Sequence, residues 1–229
     1  FMLAVTGLIL TVFVGTQIQE THKPEHVFTF EDALMGYREL LQTERFLASA
    51  LTTAFQTAVF FAMMGFIAYS FERMSISPNE FGVWMATTSV GYVIGNLANK
   101  RLLKQYRIEI ITLVGAIASL TSLLLMGIWY NAAPDSPTGL AIPMFLVGLS
   151  NGVIIANSII IASSALPRLR GSATGLVGAM QMGAGGISGT VAIWLGADQN
   201  THVGIFTLIV ISFCSLLSAW WSSKLERPQ

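Results

Sequence analysis

The side chains with the greatest chemical capacity in this sequence are neutral hydrogen-bonding groups that stand inside long apolar stretches. They include Gln56, Tyr92, Asn151 and Gln181, and Thr88 lies one helical turn before Tyr92 on the same helix face. In hydrocarbon such a group needs a polar partner, which a neighbouring helix or a water-accessible cavity can supply. The pattern therefore predicts hydrogen bonding at these positions and leaves both kinds of partner open.

No Asp, Glu, Lys, Arg or His lies in the interior of any apolar stretch, since Glu80 and Glu109 stand at stretch ends. We find no His-Glu-x-x-His pair and no cluster of His, Asp and Glu, and we expect no nucleophile elbow. A retinal-type receptor would need a lysine in a late helix for its Schiff base, and the late stretches contain none. An enzyme and a seven-helix receptor are therefore both disfavoured.

Metal and cofactor chemistry is also disfavoured. His22 and His26 stand four residues apart in a polar connection, but no third ligand follows at a useful spacing. We expect solvated linker histidines, with a metal or pH role as the alternative. The single cysteine, Cys214, lies in an apolar run, which excludes an internal disulfide and a thiolate metal site. We expect no cofactor.

The composition is that of an integral membrane protein. Hydrophobic residues make up 53% of the 229 residues and charged residues only 10%, whereas soluble domains carry about 25% charged residues. The mean hydropathy is +0.65. The formal net charge is zero, and no basic cluster interleaved with aromatic residues points to nucleic acid. We therefore expect an all-α polytopic membrane protein with a lipid environment and no nucleic-acid partner.

Seven apolar segments, bounded by charges or turn residues, predict the helices. They span roughly 1–17, 49–71, 80–98, 109–130, 139–166, 171–196 and 203–223. The first predicts the end of one transmembrane helix, and the other six predict a bundle over 49–223, followed by a tail at 224–229. The polar linker 18–48 contains a helix signal, because Thr29 and Asp32 resemble a capping box before apolar residues at helical spacing. We expect an amphipathic helix on the cytoplasmic face.

Lysine and arginine fall in alternate loops, and this pattern predicts the orientation. Eleven of the twelve follow the first, third, fifth and seventh segments, and only Arg73 lies in an opposite loop. Because positive charge is retained on the cytoplasmic side, we expect the first segment to enter from outside and the C-terminus to be cytoplasmic. The chain opens at Phe1 within an apolar run, so we also expect a fragment of a longer protein.

A line of glycines predicts a close helix contact in the sixth segment. Gly171, Gly175, Gly178, Gly185 and Gly189 fall within an arc of roughly 80° when residues are placed at 100° intervals. Glycine costs about 1 kcal/mol against alanine in a soluble helix, whereas in a bilayer it lets a neighbouring helix approach closely. The pattern therefore predicts helix packing along this face.

Two stretches carry a likeness to a known family. Residues 95–101 read Gly-Asn-Leu-Ala-Asn-Lys-Arg and resemble the loop motif after the second helix of each half of the major facilitator superfamily. Residues 171–181 resemble the eleventh helix of its bicyclomycin-resistance-type drug/proton antiporters, and Glu20-Thr21 resembles the end of its sixth helix. The loop-motif residues here are Gly95, Asn99, Lys100 and Arg101, with Asn99 in place of the family's Asp.

The resemblance covers the whole chain, which would correspond to the end of helix six, the central linker and helices seven to twelve of a family member. It implies a six-helix C-terminal half of a secondary active transporter, which exports hydrophobic drugs by alternating access in a bacterial inner membrane. Protons would couple through a carboxylate in an N-terminal half outside this sequence. Helices seven, eight, ten and eleven would wall the cavity, with substrate-binding residues Gln56, Thr88, Tyr92, Asn151 and Gln181. A facilitator for another small solute is the alternative.

Overall fold

The structure, a computed structural model, describes residues 2–17 and 30–225. The α-helices of this part of the chain are α1 (Met2–Gln17), α2 (Phe30–Gln42), α3 (Glu44–Arg73), α4 (Pro78–Leu102), α5 (Ile108–Ala132), α6 (Pro137–Ser164), α7 (Arg170–Trp194) and α8 (Thr201–Lys224). A 3-10 turn at Pro167–Leu169 precedes α7. Several predicted features lie outside the described residues: Glu20-Thr21, His22, His26, Thr29 and the tail beyond Leu225.

The described residues fall into two compact units that divide between Met35 and Gly36. The first unit contains α1, whose side chains from residue 3 to residue 16 are exposed. Thr11 and Thr16 each donate a hydroxyl to the carbonyl four residues earlier, at 2.9 Å. These bonds satisfy the two hydroxyl groups within the helix itself, so neither threonine needs a partner from another element.

The second unit contains a bundle of six long helices, α3 to α8. At one end, the Arg45 guanidinium of α3 bonds to Glu109 at the start of α5 (2.8 Å) and to the Leu225 carbonyl beyond α8 (3.4 Å). At the other end, the Arg73 guanidinium donates to Thr201 at the start of α8 (2.7 Å). Helix α5 therefore runs parallel to α3, and α8 runs antiparallel to it. We call the end at Arg45 the basic end.

Helix α3 packs against α6, α7 and α8. Small polar residues allow its close contact with α8. The Ser49 and Ser222 hydroxyls share a hydrogen bond of 2.9 Å, and the Ser215 hydroxyl donates to the Thr52 carbonyl at 3.1 Å. Small side chains let membrane helices approach closely, and hydroxyl groups bond across the interface. A buried serine stripe on α8 therefore joins it to the bundle.

Helix α4 begins at a capping box that the sequence analysis did not identify. The Ser77 hydroxyl accepts from the Glu80 backbone N–H at 3.4 Å, and the Glu80 carboxylate accepts from the Ser77 N–H at 3.1 Å. Pro78 occupies the first helical position, where its missing N–H loses no bond. These three residues start α4 two residues before the apolar segment predicted to begin at Glu80.

Five helices of the described chain are long and apolar enough to cross a membrane: α3, α5, α6, α8, and α7 with its preceding turn. Helix α4 has the same 25-residue length as α5, but polar residues such as Thr87 and Asn96 lower its hydropathy. It packs against α6 along its length. The predicted all-α polytopic membrane fold is confirmed.

Helix α3 begins at Glu44, five residues before the apolar segment predicted to start at position 49. Hydropathy placed the start too late, since it counts the buried Arg45 as a polar boundary. Along α2, Leu40 is buried and Gly36 lies against Leu169, whereas Tyr37 and Leu41 are exposed.

Candidate functional site

A cavity of about 370 Å³ lies between α3, α4 and α6. Its lining combines aromatic and aliphatic side chains with hydroxyl and amide groups, and none of these residues carries a formal charge. The lining residues are Thr57 and Phe60 of α3, Thr88, Ser89, Tyr92 and Val93 of α4, and Gly148, Asn151 and Ile155 of α6. The structure thus brings three of the five predicted binding residues, Thr88, Tyr92 and Asn151, to one cavity.

Two GxxxG motifs bring α4 and α6 together beside this cavity. Gly91 and Gly95 of α4 face the α6 backbone, and Gly148 and Gly152 of α6 face the α4 backbone. A Cβ added at any of the four would stand less than 3.0 Å from a carbonyl oxygen, closer than real Cβ atoms approach. Glycine therefore permits direct backbone contact between the two helices. Because Tyr92 follows Gly91 directly, this contact positions a cavity residue.

Residues 148–152 read Gly-Leu-Ser-Asn-Gly and match Gly-x-Ser-x-Gly in letters, although no nucleophile elbow was expected. A nucleophile elbow places its serine on a sharp turn between a strand and a helix. Here α6 is a continuous helix, and the Ser150 hydroxyl donates to the Leu146 carbonyl at 2.9 Å. The two glycines of the match pack against α4, so this stretch is a helix contact.

Gln56 lies behind the cavity wall, where it is fully buried. Its Nε2 donates to Asn151 Oδ1 at 2.6 Å and to the Ser119 hydroxyl at 2.7 Å. Because this bond occupies Asn151 Oδ1, the Asn151 amide nitrogen is the group left to donate to a molecule in the cavity. Gln56 does not line this cavity, so its direct substrate contact stays a prediction. In the structure Gln56 fixes the orientation of Asn151.

Thr88 supplies a hydroxyl with no partner among the described residues. The residue is only 3% exposed, so bulk solvent does not satisfy this group. Buried polar groups in native proteins nearly always have a hydrogen-bond partner, and an exception calls for an explanation. Since Thr88 lines the cavity, a bound molecule or an ordered water would satisfy the hydroxyl.

Gln181 joins α7 to α3 and does not line the cavity. Its Nε2 donates to the Thr53 hydroxyl at 2.9 Å and to the Thr57 hydroxyl at 3.1 Å. Thr57 does line the cavity, and because its oxygen accepts from Gln181 its own proton is available to an acceptor. Of the four predicted wall helices, α3, α4 and α6 line this cavity, and α7 acts on it through Thr57.

The loop-motif residues have separate roles. Asn99 and Asn157 form a reciprocal pair of buried amides, with Nδ2 to Oδ1 distances of 2.8 and 3.0 Å. An aspartate at position 99 would lack the amide donor, so this pair depends on the residue that departs from the resembled pattern. Gly95 belongs to the α4–α6 contact. Lys100 and Arg101 are exposed at the basic end and line a shallow depression there.

The glycine face predicted on α7 is only partly a packing face. Gly185 lies against the Phe61 ring and Gly189 against the Phe61 carbonyl. A Cβ added at Gly171, Gly175 or Gly178 would meet no described atom within 4 Å. Helix packing at these three positions stays a prediction, since no described residue lies against them. The helical wheel places all five on one line, but in the first half of α7 the side chains packed in the core are Ala173 and Val177, which cluster with Phe46 and Ala50 of α3.

An ion pair at the basic end was missed because its members stand at segment ends. Arg45 Nη2 lies 2.8 Å from Glu109 Oε1, and Arg107 Nε lies 3.6 Å from Glu109 Oε2. The Glu109 side chain has no exposed surface and the Arg45 side chain is 10% exposed. The available signal in the sequence was a basic residue before one apolar segment and an acidic residue at the start of another. Only their proximity in space identifies the pair.

The cavity lies near the middle of the three helices that form it. Thr57 is close to the midpoint of α3, Ser89 to that of α4 and Asn151 to that of α6. Transporters bind their substrates near the bilayer midplane, at an interface between helices. A sequence model of the Major Facilitator Superfamily matches residues 46–229.

The chain belongs to the major facilitator superfamily. No curated protein matches the chain. Superfamily members move small molecules across a lipid bilayer, so this protein is an integral membrane transporter and not a seven-helix receptor. The match extends over α4 to α8 and over α3 from its third residue, and it therefore includes every residue of the cavity lining.

Proposed function

We propose that this superfamily member exports hydrophobic drugs, and that the cavity between α3, α4 and α6 is part of its substrate site. The observation that carries the proposal is the uncharged lining at the middle of three helices. Phe60, Val93 and Ile155 offer apolar area to varied ligands, while Thr88 and Asn151 offer hydrogen bonds that are not committed to the protein. Sites of this kind bind through apolar contact and orient the ligand with few polar groups.

We propose that export is coupled to protons by a group outside this sequence. No Asp, Glu, Lys, Arg or His lines the cavity in the described chain. Glu109 is buried, but it pairs with Arg45 at the basic end and not at mid-membrane. Proton-coupled transport needs a titratable group in the pathway. A carboxylate in an N-terminal half that faces this cavity would meet that need, consistent with the resemblance to drug/proton antiporters.

The Thr88 hydroxyl provides a direct test of substrate contact. Because it has no protein partner, Thr88→Val should leave folded yield and thermal stability unchanged. We expect transport of chemically unlike drugs to change unequally, by about 2- to 10-fold for those that bond to the hydroxyl. The measurement is export of several drugs from cells, normalised to the amount of transporter in the membrane.

Thr207→Val is the matched control for this experiment. Thr207 is also buried, but it lies on α8 outside the cavity lining, and its hydroxyl donates to the Val203 carbonyl at 2.8 Å. We expect this variant to leave the relative export rates of the different drugs unchanged. A Thr88→Val protein with an unaltered drug profile would remove Thr88 from the site.

We also propose that the basic end faces the cytoplasm, because the described basic residues of the bundle other than Arg73 cluster there. In a Cys214→Ser background, single cysteines at Asp135 and Asp198 should react with an impermeant thiol reagent added to intact cells. A cysteine at Gln105, in the loop between α4 and α5, should react only after the membrane is opened. Labelling of the Gln105 position in intact cells would reverse the proposed orientation.

A further inference from the structure

A second cavity, of about 360 Å³, opens between the end of α4 and the face of α5, with α6 as its floor. Its lining is almost wholly apolar: Leu102, Tyr106, Ile110, Ile111, Val114, Gly115, Ala118, Leu149, Ser150 and Val153. The one buried hydroxyl, that of Ser150, already donates to the Leu146 carbonyl. The groove therefore offers no free polar group along its buried length, and water has nothing to bind there.

Small residues on α5 make this space. Gly115 packs so closely on Ile154 that an added Cβ would stand 2.8 Å from its Cγ1, and Ala118 leaves the next turn unfilled. From Ile110 to Ala118 the groove follows α5 for about 12 Å. Ile110 and Val114 on its rim are 41% and 58% exposed. Since α5 and α6 are both long and apolar enough to span a membrane, the groove lies at a depth that lipid hydrocarbon would occupy.

Cations stand at the end of the groove. Lys100, Arg101 and Lys104 line a shallow depression of about 300 Å³ at the basic end. Lys104 lies in the chain between Leu102 and Tyr106, which both line the groove. No ion pair within the described residues involves any of these three cations.

We propose that this groove is a binding site for one anionic phospholipid. One acyl chain occupies the apolar groove along α5, and the phosphate lies at Lys104 with Arg101 beside it. A hydrocarbon chain matches the apolar lining, and a negative headgroup is what these cations attract. A zwitterionic lipid would fill the groove equally well but would gain little from the cations, so headgroup charge decides the selectivity.

The site is separate from the cavity of the proposed function, because the two share no lining residue. They lie on different faces of α6, since Asn151 lines the first and Leu149, Ser150 and Val153 line the second. The lipid site can therefore be tested without a transport assay, and its failure would leave the substrate cavity unaffected.

Native mass spectrometry of the purified full-length protein with dioleoylphosphatidylglycerol and dioleoylphosphatidylcholine tests the proposal. We expect preferential retention of the glycerol lipid, and Lys104→Gln should weaken this binding about fivefold, as about 1 kcal/mol per basic residue predicts. Lys224→Gln, an exposed lysine at the basic end on α8, should leave binding unchanged. Glycerophosphoglycerol, which has the headgroup but no acyl chains, should not compete. Equal retention of both lipids, competition by the free headgroup, or equal effects of the two lysine variants would overturn the proposal.

The acyl-chain contact has its own test. Ala118→Phe fills the groove and should abolish the preferential retention of phosphatidylglycerol, whereas Val210→Phe places the same ring on the exposed face of α8 and should not. Folded yield from size-exclusion chromatography accompanies both variants. If Ala118→Phe does not fold, Ala118→Leu replaces it. Undiminished lipid retention by a folded Ala118 variant would contradict the assignment of the chain to this groove.

Discussion

Replacing Gly95 with alanine should destabilise the bundle by about 3 kcal/mol, at the upper end of the usual cost of overpacking. The added methyl group would overlap the Leu149 carbonyl of α6, which is backbone and cannot move to another rotamer. Helices α4 and α6 would have to separate, and Tyr92 would move away from Asn151 across the cavity. We therefore expect a fall in folded yield, a lower midpoint of thermal unfolding in detergent, and weaker transport.

Gly82→Ala is the control on the same helix. A Cβ at Gly82 would meet no described atom within 4 Å, and alanine favours helix more than glycine does, so this variant should be unchanged or slightly more stable. Gly178→Ala should behave like Gly82→Ala, because the described chain does not pack on Gly178. If Gly95→Ala unfolds at the same temperature as Gly82→Ala, the backbone contact between α4 and α6 is not as close as described.

Replacing Glu109 with glutamine should cost about 3 to 5 kcal/mol, the usual effect of removing one partner from a buried ion pair. The variant keeps the shape of the side chain but leaves the Arg45 charge without its carboxylate, in a site where only 10% of the arginine side chain is exposed. The basic ends of α3 and α5 would lose their strongest contact. Equilibrium unfolding in mixed micelles would measure the loss.

Two comparisons separate this effect from a general cost of losing a carboxylate. Glu39→Gln removes the same charge from an exposed pair with Arg168, whose side chain is 66% exposed, and should cost no more than about 1 kcal/mol. The double variant Arg45→Met with Glu109→Leu should recover most of the stability, because matched apolar residues often replace a buried pair without loss. A single Glu109→Gln variant as stable as Glu39→Gln would show that the pair contributes little.

Composition and hydrophobic periodicity were sufficient to predict the helices. Low charge and long apolar runs require backbone hydrogen bonds to be satisfied within each segment, which only helices achieve in an open chain. Segment ends were misplaced where a charged residue is buried, as at Arg45, because hydropathy treats every charge as solvent-exposed. The helical-wheel stripes of α4 and α6 were also informative, since they placed Thr88, Tyr92 and Asn151 on inward faces that the structure joins in one cavity.

A helical wheel could not predict the contacts between helices, because it shows which residues share one face of a helix and not which residues lie opposite that face. Gly178 and Gly95 belong to similar glycine patterns, yet only Gly95 meets another backbone. Gln56 and Asn151 were both predicted to contact substrate, and only the structure shows that a hydrogen bond joins them and that Asn151 is the one that lines the cavity. The sequence by itself determined a helical membrane bundle and its polar positions, because bilayer burial acts on each segment separately. The tertiary structure alone decided which glycines touch, which amides face the cavity and which charges pair, because those outcomes depend on distances between segments far apart in the chain.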